Sequence, residues 1–307
     1  MNYTEFKEKL IMELKKLFPE LIVEVGEVCK NNSTSYDTIM LYSNGYNLSP
    51  CIRLKTYYDE MINSNEKQGF TVVLKKIVAV YQAAFTEKKN NILYDALTNY
   101  NAIKDRITCR MVNKIMNQRL LASMPHTNFL YEFAITYSIV TNLNGEGIES
   151  VRITNTLLNY WNISLAELHE VALVNTIRYF PAVSFRMDEI ISKMVGQPEQ
   201  ATEGNIMYVL SNQQSINGAT VLIYPDTLKD FISQYQVKEK YLIILPSSIH
   251  ELILVPSMNL SMQENFQQMV KDVNESEVAE DEILSNQILI YDCEKDNIFC
   301  TKMGNEK

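Results

Sequence analysis

The stretch Lys240–Pro256, KYLIILPSSIHELILVP, decides how this chain is read. Two short apolar runs, Tyr241–Leu245 and Leu252–Val255, flank the polar centre Ser247-Ser248-Ile249-His250-Glu251. Runs this short, rich in Ile, Leu and Val, are expected to be strands buried on both faces, or a strand against a helix layer. Pro246 fixes φ and removes an N–H, which ends the first strand. The polar residues then suit a tight reversal into an antiparallel hairpin. That reversal gathers two hydroxyls, an imidazole and a carboxylate at one sheet edge. The plainer reading is that Ser247 and Ser248 bond their own turn and His250-Glu251 starts the second strand.

The same reading extends outward along the chain. Upstream, Met207–Leu210 is expected as a strand, Ser211–Gly218 as a turn and Ala219–Tyr224 as another strand. Pro225 is expected at a first helical position, with Leu228, Phe231, Ile232 and Tyr235 on one apolar helix face. Ser164 with Glu167 is a capping box opening a helix to about Tyr179, and Thr154 caps a short helix ending at Trp161. Strands are expected over Ile107–Val112, Leu130–Thr141 and Ile148–Ile153. A helical Asn113–Ser123 and a break at Met124–Asn128 lie between the first two. Asp188–Val195 is expected as helix and Gln197–Asn205 as polar loop. Downstream, Leu260–Val273 is a helix, Glu275–Glu282 a solvated acidic stretch, and Gln287–Cys293 with Ile298–Thr301 a closing hairpin.

Near the start, Phe6, Leu10, Ile11, Leu14 and Leu17 form one stripe of a helix over Asn2–Phe18, with Thr4 as its cap and Pro19 as its stop. Leu21–Cys29 and Tyr36–Tyr42 make a hairpin, and Pro50–Leu54 a short strand after a Ser43–Asn47 loop. Tyr57–Asn63 begins helix, Gly69 interrupts, and Phe70–Phe85 is a strong helix. Leu93–Asp105 is a shorter helical segment or loop. Charge and Asn cluster at Glu87–Asn91, so an N-terminal α+β region over residues 1–90 and a C-terminal α+β domain over residues 91–307 are expected. Hairpin turns outnumber helical crossovers. The fold class is therefore α+β: a largely antiparallel sheet flanked by helices, with an N-terminal helix-hairpin-helix region.

The 307 residues suffice for one large domain or two ordinary ones. A net charge of −9 argues against broad nucleic-acid binding. No apolar run approaches the ~20 residues that span a bilayer. The opening MNYTEFKEKL carries acidic residues where a secretory signal would be basic, then apolar. A cytoplasmic protein without a membrane segment is expected. The five cysteines are odd in number and mostly far apart, which fits reduced thiols. Cys293 and Cys300 are the exception, facing each other across two strands if Asp296-Asn297 is the turn between them.

Glycine-rich phosphate loops and a G-x-S-x-G elbow are absent. His169-Glu170 lacks the following histidine of a zinc-protease helix, and His169 reads as a surface residue. Three histidines and no close cysteine pair leave little from which to build a metal site, and no cofactor is expected. Pro225-Asp226 opens like a nuclease motif, but Lys238-Glu239-Lys240 stands where Glu-x-Lys is required, so Asp226 reads as a helix N-terminal charge. The catalytic candidates are Ser247 or Ser248 as nucleophile with His250 and Glu251. Adjacent strand residues point to opposite faces, so Glu251 is poorly placed to orient His250. Asn212 and His126 are candidate ligand contacts. Arg119 and Arg152 are candidates for an anionic group.

ILPSSIHELILVP (244–256), with MYVLSNQQSINGATVLIYPDTL (207–228) and ITNTLLNYWNISLAEL (153–168), resembles a family of bacterial proteins from clostridial and other gut Firmicutes that carries only a domain-of-unknown-function label. The resemblance covers nearly the whole chain. It implies a cytoplasmic bacterial protein and no particular reaction, cofactor or catalytic residue. Three functions follow as expectations. The first is a non-enzymatic binding or regulatory module with a protein or small-molecule partner. The second is a hydrolase or transferase with its site at residues 247–251 and Asn212 nearby. The third is a mobile-element or phage accessory protein that inhibits a host factor.

Overall fold

The computed structural model describes residues 1–42, 52–64, 66–86, 97–144, 147–195 and 206–300. The expected Ser43–Asn47 loop, the Glu87–Asn91 boundary, the Gln197–Asn205 loop and the tail lie outside them. The fold is α+β with antiparallel sheets flanked by helices. The chain divides into two compact units, Met1–Ala102 and Ile103–Lys307.

The first unit opens with helix α1 (Tyr3–Leu17). Its cap is Asn2, not Thr4: the Asn2 side chain accepts the Glu5 N–H and the Glu5 carboxylate accepts the Asn2 N–H, so two orphan donors are satisfied reciprocally. Strands β1 (Ile22–Cys29) and β2 (Ser35–Tyr42) pair from Ile22↔Tyr42 to Cys29↔Ser35, and β3 (Ile52–Arg53) adds to β2. Helices α2 (Leu54–Asn63) and α3 (Glu66–Thr86) follow. Gly69 lies inside α3 rather than interrupting it. A Cβ there would stand 2.6 Å from Ser64 Oγ and 2.8 Å from the Met61 carbonyl, so glycine lets the two helices approach closely. Phe6, Leu10 and Leu14 pack with Ile39, Leu41, Ile77 and Tyr81 in one core. The Tyr81 hydroxyl donates to the Ile39 carbonyl.

After a helical turn, α4 (Tyr100–Ile103), the second unit carries two sheets. The smaller contains β4 (Ile107–Asn113), β5 (His126–Phe129), β6 (Phe133–Asn144) and β7 (Gly147–Arg152). Strand β4 runs along one side of β6, while β5 and β7 share the other. The expected break at Met124–Asn128 is largely β5, whose four residues pair with β6. The turn falls instead at Leu130–Glu132, where Leu130 takes φ 47°. Helix in the Asn113–Ser123 stretch is limited to α5 (Gln118–Leu121). Thr154 caps α6 (Asn155–Trp161) through the Leu157 N–H, and Ser164 caps α7 (Leu165–Tyr179) through the Glu167 N–H.

The larger sheet is antiparallel with order β13-β12-β10-β11-β9-β8. It is built from β8 (Ala182–Arg186), β9 (Tyr208–Asn212), β10 (Tyr241–Leu245), β11 (Leu252–Ser257), β12 (Leu289–Asp292) and β13 (Asn297–Cys300). Helix α8 (Met187–Val195) follows β8, and α9 (Thr227–Tyr235) and α10 (Gln263–Ser276) complete the unit. The quoted stretch lies at its centre. Leu242 and Ile244 of β10 face a core shared with β9, α9, Met111 and Phe133, whereas Ile243 and Leu245 face Phe266 and Val270 of α10. Alternation thus buries both faces of β10, as the unbroken apolar run implies.

Several local expectations are corrected. Gly218–Ile223 is a 3-10 turn, not a strand: Ala219, Thr220, Val221 and Leu222 are all buried in succession, a pattern no two-sided pleat dictates. Helix α9 begins at Thr227, so Pro225 precedes its N-cap, Asp226. Cys300 stands opposite Leu289 and the last pair of that ladder is Asp292↔Asn297, so Cys293 lies in the turn and does not face Cys300.

Strand β4 is an edge, and hydroxyls close it. Cys109 N–H donates to Thr176 Oγ1 at 2.8 Å and Met111 N–H donates to Thr220 Oγ1 at 3.1 Å, both buried. Thr220→Val leaves the Met111 N–H without an acceptor, a loss of about 1–3 kcal/mol. The urea midpoint of this unit falls accordingly, and Thr220→Ser recovers most of it.

Candidate functional site

The segment after β10 is no tight turn. Its backbone runs between two neighbours. Pro246 and Ser247 carbonyls accept the N–H groups of Ser285 and Leu284, both at 2.9 Å. Ile249 donates to the Glu282 carbonyl at 2.9 Å and accepts from Ala219 N–H at 3.1 Å. Ser248 is buried, and its Oγ accepts the His250 N–H at 3.0 Å. His250 Nδ1 accepts the Asn217 N–H at 3.3 Å, which puts the ring hydrogen on Nε2. Nε2 lies 3.5 Å from Glu282 Oε1. Glu282 therefore stands where Glu251 would have to reach. The serine and the imidazole are next to each other in the chain, but their bonds run to backbone groups.

Across from this loop, Asn212 organises its own. Its Oδ1 accepts the N–H groups of Gln214 at 3.0 Å and Ile216 at 3.4 Å, and its Nδ2 donates to the Ile216 carbonyl at 2.8 Å. Ser211 Oγ donates to the His250 carbonyl at 2.7 Å. Gly218 lies in the contact itself: a Cβ would come within 2.2 Å of the His250 carbonyl oxygen and 2.0 Å of Ser211 Oγ. The two loops touch backbone to backbone, which only glycine permits.

On the far side of the 212–217 loop is a cavity of about 40 Å³. At about 10–15 Å³ per water-sized sphere it has room for a group of about three to four heavy atoms, the size of a carboxylate or a terminal phosphoryl group. Thr108 and Arg110 of β4, Ser138 of β6, Ser150 of β7 and Asn212 and Asn217 line it. Register explains the grouping. Thr108 opposes Ser138, which opposes Arg152, and Arg110 opposes Thr136, which opposes His126. All six share one face of the small sheet. Among the described residues that line the cavity there is no carboxylate. Burial, with the neighbouring Arg152 second, pushes the Arg110 pKa down to about 10, which still leaves it charged at neutral pH. Two guanidinium groups two strands apart, about 10 Å, repel by about 1–2 kcal/mol at an effective dielectric of about 20.

The remaining candidates separate. Arg119 is exposed on α5. His126 shares the Arg110 row, and its Nδ1 lies 3.1 Å from the Met124 carbonyl. His169 is half-buried rather than on the surface, with Nδ1 3.0 Å from the hydroxyl of Tyr137. That hydroxyl also meets Thr127 Oγ1 at 2.6 Å, and burial pushes the Tyr137 pKa up to about 12. Burial likewise holds the Cys109 thiol up at about 11, far from a reactive thiolate. A wider cleft of about 340 Å³ is formed by Tyr208, Tyr235, Val237 and Pro256, with Lys238 and Glu239 at its side. No cluster of three or more His, Cys, Asp or Glu side chains suited to a metal occurs among the described residues. None of their helices is long and apolar enough to cross a membrane.

Arg110 was missed in the sequence. Its signal was a lone charge inside the apolar run ITCRMVN. What the sequence lacks is the register that brings it beside Ser138 and Arg152.

Gly218→Ala forces the two loops apart and costs about 1–3 kcal/mol. Hydrogen exchange at the Ala219 and Ile249 amides accelerates in the variant, while amides of β12 and β13 keep their protection apart from the global loss.

No curated protein and no solved structure matches this chain. A family model described as a family of unknown function, DUF5688, matches residues 3–293. That span takes in every candidate residue described above, and the chain belongs to the DUF5688 family.

Proposed function

We propose that this chain is a cytoplasmic bacterial binding module that recognises its partner non-covalently and turns nothing over. The observation that carries the reading is the state of the 247–251 loop. Ser248 Oγ takes the His250 N–H and His250 Nδ1 takes the Asn217 N–H, so the imidazole nitrogen nearest the chain is already an acceptor. A serine nucleophile needs a free imidazole nitrogen within hydrogen-bond reach, and Nε2 faces Glu282 instead. These bonds support a loop held rigid for recognition. The buried thiol of Cys109 and the buried hydroxyl of Tyr137, both held protonated at neutral pH, point the same way.

The hydrolase reading is tested directly. Intact protein treated with a fluorophosphonate probe is expected to show no added mass. An adduct on Ser247 or Ser248 that disappears in His250→Ala overturns the binding-module reading. Native mass spectrometry of the protein drawn from its own cytosol is expected to show a bound small molecule or a bound polypeptide.

A further inference from the structure

We infer that the cavity beside β4 is a binding site for a small oxyanion, the carboxylate or phosphate group of a ligand, with Arg110 as its anchor. This deepens the binding-module reading and rests on it. Four observations converge. Arg110 forms no ion pair or side-chain hydrogen bond among the described residues, although it lines a cavity. A half-buried guanidinium is a fixed fork of five donors, and a cavity that supplies no carboxylate leaves that fork for a ligand. Arg152, opposite Ser138 on the same sheet face, adds a second positive charge. The other polar groups on that wall are hydroxyls and amides, from Thr108, Ser138, Ser150, Asn212 and Asn217. The hydroxyls and the Asn217 amide offer donors to anionic oxygens without adding a negative charge, while the Asn212 amide is held by its own loop.

Size and access narrow the ligand. A cavity of about 40 Å³ takes the head group and not a whole metabolite. Ser150 is exposed, so the body of the ligand leaves past β7 towards solvent. A cation is disfavoured on charge, since Arg110 lines the cavity and no carboxylate does among the described lining residues. The loop that closes the cavity is the one locked to residues 247–251 through Gly218, which holds the pocket in shape before any ligand arrives.

The test uses the full chain at constant ionic strength, with sodium chloride replaced stepwise by sodium formate, sodium acetate or sodium phosphate. The melting temperature of the wild type is expected to rise by about 5 °C near saturation with at least one of them. Formate or acetate as the effective anion identifies a carboxylate, and phosphate alone identifies a phosphoryl group. Arg110→Met is expected to lose the rise, with at least tenfold weaker binding, while Arg119→Ala keeps it. Without added oxyanion, Arg110→Met is expected to melt no lower than wild type, because it removes a charge that has no partner. A purely structural arginine predicts the reverse. If Arg110→Met does not fold, wild-type protein is treated with phenylglyoxal and mapped. Protection of Arg110 by the effective anion supports the site. No rise with any of the three anions, a rise that survives in Arg110→Met, or an Arg110 that is modified equally with and without anion overturns it. Turnover of a substrate, by contrast, sinks the binding-module reading without altering these measurements.

Discussion

The C-terminal unit depends on one close approach, that of the backbone at Gly218 to the backbone at His250. No side chain can stand between them, and the Ala219 N–H to Ile249 carbonyl bond closes the contact. Three consequences follow from it. The 3-10 turn that begins at Gly218 is held where Thr220 can accept the Met111 N–H and seal the edge of β4. The Asn217 N–H is set against the His250 ring, which fixes the imidazole. The loop organised by Asn212 is carried over the small sheet, where it becomes one wall of the Arg110 cavity.

Polar groups in this unit fall into two kinds, and the difference is what separates scaffold from site. Asn113, Asn175, Asn212 and Asn274 each bond backbone carbonyls that no strand or helix satisfies. These asparagines do for irregular backbone what ladders do for strands. Ser248 and His250 belong with them. Arg110 does not, because a guanidinium cannot lose its charge cheaply and finds no carboxylate in the cavity it lines. Buried cations are usually paired. Arg110 is half-buried and forms no ion pair among the described residues, which is why a counter-ion from outside the chain is proposed for it.

Much of the fold was legible because two periodicities carry it. The stripe of Phe6, Leu10 and Leu14 specifies α1, and the capping serine at Ser164 specifies the start of α7. Unbroken apolar runs specify β10 and β11 as doubly buried strands. The misreadings share a cause. Ala219–Tyr224 has the β-branched and aromatic content of a strand, but four successive buried positions wedge it between two sheets as a 3-10 turn. His126–Phe129 follows a proline and looks irregular, yet β6 offers it a free edge to pair with. Gly69 looks like a helix breaker and instead is where a second helix lies against the first. In each case a packing or pairing neighbour outside the element overrides local preference.

The candidate site divides along the same line. Composition and spacing alone determined the α+β class, the central hairpin strands, the want of a familiar catalytic motif, and Asn212 and Arg152 as residues worth watching. Local rules suffice for these, since side-chain alternation, capping and motif spacing act within a few residues. Only the tertiary structure decided that Glu282 rather than Glu251 faces His250, and that Arg110, Ser138 and Arg152 share one sheet face. Strand register and loop contact set those neighbours, over separations from 14 residues (Ser138 to Arg152) to 42 (Arg110 to Arg152), and no pattern within a single element encodes which residues will meet.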